Sequence, residues 1–127
     1  MTTITQIVSY WQNNIDVPLW TDLVPDGTPF PYASLHLVSQ KSNYTTGSLA
    51  FQYCRFQISI FDITLDSVSS IAEDVDAAFN RSTTVTSNEV QCNQLNSMNL
   101  PIELADQQIV YGWMLEYELQ VQISVPG

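Results

Sequence analysis

In this 127-residue sequence the candidates for acid–base, nucleophilic or metal chemistry are His36, Cys54, Cys92, Glu116 and Glu118. His36 is the single histidine, so any Ser-His-Asp or Cys-His arrangement has to use it. No GxSxG elbow accompanies it, and its place within a strand pattern reads as a histidine on the polar face of a sheet. A zinc site would need His36 with both cysteines, which lack ligand spacing. Cys54 and Cys92 show no CxxC spacing and fall in strand-like segments, so two buried free thiols are expected. Glu116 and Glu118 stand two apart on one strand face, within reach of Asp62 or Asp66, and such pairs serve hydrolases as acid and base. Acidic groups on the open face of a strand are more often simply solvated, and these two read that way. Whether a divalent cation bridges acidic groups at a subunit boundary stays open. None of the four glycines falls in GxGxxG or Walker spacing, and so no phosphate loop is present. No cofactor is implied, and the chain does not read as an enzyme. Trp11, Trp20, Trp113 and the tyrosines lie on apolar faces, which favours core packing over a sugar-binding platform.

The charge balance narrows the partners. Only Lys41, Arg55 and Arg81 are basic, against thirteen acidic residues, for a net charge of −10. Affinity for a DNA backbone comes largely from cations that displace counterions, so tight binding to DNA is disfavoured, and to anionic membranes equally. Net charge keeps a chain soluble; it also suits a surface past which DNA must slide without sticking. No stretch approaches the roughly 18 to 20 apolar residues of a membrane span. The first residues carry neither a basic region nor a continuous apolar run, so no secretory leader is expected in them. With 45% apolar residues, the 127 positions suit one domain with a core of its own.

The elements that must hold these groups follow from periodicity. Ile4, Ile7, Val8 and Trp11 predict a helix over 3–13, with Thr3 and Gln6 as a capping box. Residues 16–31 carry Pro18, Pro25, Gly27, Pro29 and Pro31 and read as a loop, with Pro25-Asp26-Gly27 as a turn. Ala33, Leu35 and Leu37 alternate with polar neighbours from Tyr32 onward, predicting a strand. A polar connection over 40–48 leads to a second strand over 51–63, with Cys54, Phe56, Ile58 and Ile60 on one side. Leu65, Val68, Ile71, Ala72, Val75, Ala78 and Phe79 form one helical stripe; Asp66 suits its start and Arg81 its negative end. A third strand is expected over 90–98, and a connection over 99–108. In the last strand, Ile109, Tyr111, Trp113, Leu115, Tyr117 and Leu119 share one face. Extended through Val125 it would span roughly 55 Å, so it either bends, with Gly112 as the candidate, or pairs with a neighbouring subunit. The expected fold is α+β: one antiparallel sheet of about four strands, with two helices packed on one face.

The start Pro31-Tyr32-Ala33-Ser34-Leu35, the polar hairpin loop, the strand over 51–63 and the amphipathic helix over 66–80 resemble the tail-completion (tail-terminator) proteins of long-tailed bacteriophages. The short N-terminal helix and the late aromatic strand fit the same order. The resemblance implies a virion structural subunit, made in the bacterial host cytoplasm. It forms a homo-oligomer, a hexameric ring at the head-proximal end of the tail tube, with the tail-tube protein and the neck or connector proteins as partners. DNA meets it only in passage through an acidic lumen, and no membrane is involved. On that reading Lys41, Ser42, Asn43, Tyr44, Thr45, Thr46, Gly47 and Ser48 are the contact loop, and Glu116 and Glu118 are lumen or interface candidates. The rival readings are another head-tail joining or tail-tube subunit and, from a different class, a monomeric ligand- or carbohydrate-binding module.

Overall fold

The computed structural model describes residues 2–44, 49–86, 89–105 and 108–124. Helix α1 spans Thr3–Asn14 and opens on Thr2, whose hydroxyl accepts from the Thr5 N–H, so the cap lies one residue earlier than the expected Thr3. Helix α2 spans Leu65–Phe79 and is capped by Thr64, whose hydroxyl accepts from the Ser67 N–H. Asp66 sits in the first turn instead, where its charge still favours the helix dipole.

The strands are β1 (Leu19–Thr21), β2 (Tyr32–Tyr44), β3 (Leu49–Asp62), β4 (Glu89–Asn99), β5 (Glu103–Ala105) and β6 (Gln108–Ser124). They pair in the order β1-β2-β3-β6-β4, with β5 folded back on the start of β6. The sheet is mixed, because β1 runs parallel to β2 while every other pair is antiparallel. The α+β architecture thus stands, with two short strands added at residues expected to be loop. β1 lies within 16–31, where the prolines mask it, and β5 follows Pro101 inside the expected 99–108 connection. β2 also runs on to Tyr44, through residues expected to be a connection.

The length of β6 is used inside the chain. It pairs with β3 from Tyr111 to Ser124, with β4 from Trp113 to Val121, and with β5 over Gln108 to Val110. Gly112 is buried where Leu100 and Phe61 close on it, and an added Cβ there would lie 3.0 Å from Leu100 Cδ1. Side-chain space explains that glycine, not an unusual backbone angle.

One layer of side chains joins helices to sheet. Ile7 and Trp11 of α1, Val68, Val75 and Phe79 of α2, and Phe56, Ile58, Leu115, Tyr117 and Leu119 of the strands are all buried in a single core. Phe79 is its hub, with ring centroids 5.0 Å from Tyr10, 6.1 Å from Phe56 and 5.7 Å from Tyr117. Each such large side chain contributes about 1.5–3 kcal/mol by leaving water. Both helices use the same sheet face, so the opposite face has no helix over it. Irregularities at Val38 in β2 and at Leu95 in β4 each insert one residue and shift the alternation by one. Leu37 thus lies opposite Phe56 but Gln40 opposite Cys54, and Gln94 lies opposite Tyr117 but Ser97 opposite Leu115. Val38 and Leu95 themselves are 40% and 47% exposed.

Among the described residues no helix is long and apolar enough to cross a membrane.

Candidate functional site

The sheet face without helices is where the register gathers the expected site residues. Four rows cross it. Ser34, Ser59, Met114 and Met98 form one, and His36, Gln57, Glu116 and Asn96 the next. Then come Ser39, Arg55, Glu118 and Asn93, followed by Lys41, Tyr53, Gln120 and Gln91. Strand alternation dictates this set: whatever is not in the core on β2, β3, β4 and β6 must emerge here. Hydroxyls and amides dominate, and the formal charges of Lys41, Arg55, Glu116 and Glu118 balance.

Glu116 departs from expectation. It is 5% exposed instead of solvated. The Arg55 guanidinium donates to Oε1 at 3.0 Å, and the Gln57 amide donates to Oε2 at 3.0 Å. The Arg55 hydrogen bond holds the Glu116 carboxyl below the usual carboxylate range, against the opposing effect of burial. A general acid needs the opposite shift. Asp62 is also committed elsewhere: it accepts from the Ile63 N–H at 2.7 Å and from the Ser67 hydroxyl, fastening the start of α2. The expected approach of Glu116 or Glu118 to Asp62 is therefore not made, since Asp62 pairs with Tyr111, five residues along β6 from Glu116. Glu118 is half-buried beside Arg55 and carries its charge toward the open face.

The contact-loop candidates divide. Lys41 and Ser42 are exposed in the far half of β2, and Asn43 and Tyr44 continue that strand opposite Phe51 and Ala50. Thr45, Thr46, Gly47 and Ser48 lie outside the described residues. Lys41 sits one row from Glu118 on the same face, so the far half of this hairpin and the acidic pair belong to one surface.

His36 is on the polar face as expected, and its Nδ1 lies 2.9 Å from Asp22 Oδ1, with both side chains well exposed. Periodicity gave no sign of that pair, because Asp22 reaches it from the loop after β1 with a left-handed backbone, φ 61°. Cys54 and Cys92 are free and buried, as expected. Burial pushes the Cys54 thiol up to about 11, and the Cys92 thiol is pushed up for the same reason. Neither is a poised nucleophile. Among the described residues no three His, Cys, Asp or Glu stand close enough to hold a metal ion.

Two features carried no sequence signal. Asp76 of α2 accepts the Tyr117 hydroxyl at 2.9 Å and the Gln94 amide at 2.7 Å, latching helix to sheet. The second is an apolar projection at one end of the sheet, where Ile102, Leu104 and Ile109 are 64%, 73% and 50% exposed.

No protein-family model matches the chain, and no curated protein matches it. Its fold, though, recurs. A chain in the solved virion of a native gene transfer agent particle aligns with it at a TM-score of 0.59 and 14% identity, over 95% of this chain and 92% of that one. A second solved chain aligns over 91% of this chain and 94% of its own, at 12% identity and a TM-score of 0.49, too low to bear on the fold.

Proposed function

We propose that this chain is a virion structural subunit of a phage-like particle, and specifically the tail-completion subunit that closes as a hexameric ring on the head-proximal end of the tail tube. The observation that carries the reading is the shared fold. A component of a gene transfer agent virion matches it along nearly the whole of both chains, so no further domain on either side accounts for the likeness. The resemblance of the Pro-Tyr strand start, the hairpin and the second helix to tail-completion proteins narrows the role to the tail end.

The uncovered sheet face supports the same role. A row pattern of Ser, Asn and Gln, with Lys41 and Arg55 matched by Glu116 and Glu118, offers hydrogen bonds to a neighbour but no net positive charge to grip phosphate. With Glu116 neutralised in place by Arg55, Glu118 is the carboxylate that this face turns to a lumen. The chain's net charge of −10 adds a field in which DNA slides past. Lys41, Ser42 and the rest of that hairpin serve as the contact toward the tail tube or the neck proteins.

Native mass spectrometry of the purified protein, with and without magnesium, tests the reading. A closed hexameric ring supports it. Open-ended polymers point to a tail-tube subunit instead, and a strict monomer at every concentration points to a ligand-binding module.

A further inference from the structure

Between α2 and β4 the chain does not simply turn over. After Phe79 the segment 80–86 comes back along the outer edge of β4, the last strand in the sheet order. The Arg81 N–H donates to the Cys92 carbonyl at 2.7 Å, and the Cys92 N–H donates to the Ser82 carbonyl at 3.0 Å. The Gln94 N–H donates to the Asn80 side-chain oxygen at 3.0 Å. Every second residue of an edge strand turns its backbone groups outward, and here those groups are met from within the chain.

The near end of this segment is fixed by Phe79 in the core. The far end is held by Glu89. Val85 is buried there, and its N–H donates to Glu89 Oε2 at 3.2 Å, with the Ser82 side chain bonded to the same carboxyl. The closed contact is poorly satisfied. Thr86 Oγ1 and Glu89 Oε1 are buried with no hydrogen-bond partner among the described residues. Arg81 takes a left-handed backbone, φ 64°, which costs any residue with a side chain.

We propose that residues 80–86 form a strap over the edge of β4, latched by Glu89 in its protonated form and released when that carboxyl ionises.

The groups around Glu89 set the direction. From the strap come the Val85 N–H and the Ser82 hydroxyl, both neutral. From its own strand comes the Cys92 thiol, on which Asp76 of α2 and Cys54 of β3 also act, and β6 presents Val121. Arg81, the one cation of the strap, forms no ion pair with it among the described residues. An ionised carboxyl here is a buried charge among neutral and acidic neighbours, whereas a protonated one has no charge to desolvate. Burial accordingly raises the folded value from 4.5 to about 7, over the opposing pull of Val85 and Ser82. When the strap opens, water solvates the carboxylate and the ordinary value returns. Closing therefore binds a proton: its grip is full below about 4.5 and is lost as pH rises through about 7. Opening uncovers the N–H and C=O of Cys92, a bare edge of the kind another strand can pair with.

Native-state hydrogen exchange of the full chain tests this, read amide by amide by NMR and corrected for the intrinsic pH dependence of exchange. Protection of the Arg81 and Cys92 amides should fall about tenfold or more between pH 5 and pH 8, while the β3–β6 ladder keeps its own. Glu89→Gln, neutral at every pH, should hold the strap shut at pH 8 as wild type does at pH 5. The side-chain carboxyl resonance of Glu89 in wild type gives a check that needs no variant. Its midpoint should lie near neutral pH, where the loss of protection levels off. Strap protection that does not change with pH overturns the latch, as does a midpoint in the ordinary carboxylate range. A loss shared equally by the β3–β6 ladder also overturns it, because the whole fold and not the strap is then responding. So does a folded Glu89→Gln protein that loses strap protection in step with wild type.

Discussion

Arg55 and Glu116 stand on neighbouring strands one register row apart, and the guanidinium reaches diagonally to hold the carboxylate at 3.0 Å. The direct partner of Arg55 in the ladder is Glu118, so one cation lies against two acids, with the buried one hydrogen-bonded. A carboxylate at the centre of a sheet face is tolerated because its charge is met there, and removing the cation should be felt through Glu116.

Arg55→Met should therefore lower Tm by several degrees, since it strands a buried carboxylate, while Glu116→Gln should be milder. The pH dependence distinguishes the two. Arg55 holds the folded-state pKa of Glu116 below its unfolded value. Stability from this group is thus present above the ordinary carboxylate range and lost as pH falls through the depressed folded value. Wild type should lose this increment on acidification, and Arg55→Met should lose less. Thermal melts of both across acidic pH check it, and parallel curves would remove the pair as the cause.

Glu89 should act in the opposite sense. Burial pushes its carboxyl from 4.5 up to about 7, although the Val85 N–H and the Ser82 side chain pull it down. Its Oε1 is buried with no hydrogen-bond partner among the described residues. The folded chain binds this proton more tightly than the unfolded chain. Its contribution is full below about 4.5 and is lost as pH rises through about 7. Glu89→Gln, which mimics the protonated form, should stabilise the protein at pH 8 by about 1 kcal/mol once solvent screening is allowed for. It should change little at pH 4. Melts at both pH values decide between this and a pH-independent effect.

Cys54 and Cys92 both sit opposite Leu119, on the two strands that flank β6. Two interstrand spacings separate their backbones by about 9.6 Å, beyond the ~7 Å reach of a disulfide. Oxidising conditions should leave both thiols free. A thiol reagent should modify neither at an appreciable rate in the native protein and both after unfolding, as read by intact mass. A native-state mass lower by two hydrogens would overturn this placement.

Much of this fold was legible because burial and periodicity coincide. The stripe from Val68 to Phe79 marked α2, and the alternation of Cys54, Phe56, Ile58 and Ile60 marked β3 and its inner face. β1 was not legible, because three residues between prolines are too few to show a period and Trp20 is exposed. The far half of β2 was not either. Gln40, Lys41 and Ser42 are exposed there, so no buried face writes itself into the sequence. For the candidate site, alternation placed Glu116 and Glu118 on the right face. The burial of Glu116 depended on which side chains lie across from it on β3, and the pairing of β3 with β6 that brings Arg55 and Gln57 there is not written in the periodicity of either strand alone.

The latch at Asp76 can be separated from mere helix packing. Asp76→Leu should leave the buried Tyr117 hydroxyl and the Gln94 amide without their acceptor, costing about 1–3 kcal/mol. Asp76→Asn keeps an acceptor oxygen and should cost much less. Denaturant unfolding of the pair checks the ordering, and equal losses would mean that the carboxylate charge, not its acceptor geometry, is what matters.

Glu118 supplies the most direct test of the proposed lumen. It lies at the open face without the buried hydrogen bonds of Glu116, so Glu118→Gln should shift stability by no more than about 0.5 kcal/mol. Glu118→Lys places a new cation beside Arg55 and one row from Lys41 in every subunit, converting a balanced face to a basic one. If that face lines a channel for DNA, assembled Glu118→Lys protein should gain an affinity for duplex DNA that wild type lacks, weakening steeply as salt rises. In a particle, the same change should slow or block DNA exit, while Glu118→Gln should have a slighter effect. Fluorescence anisotropy of labelled duplex at low and high salt reads the first outcome. A Glu118→Lys assembly that binds DNA no better than wild type would place the channel on some other surface.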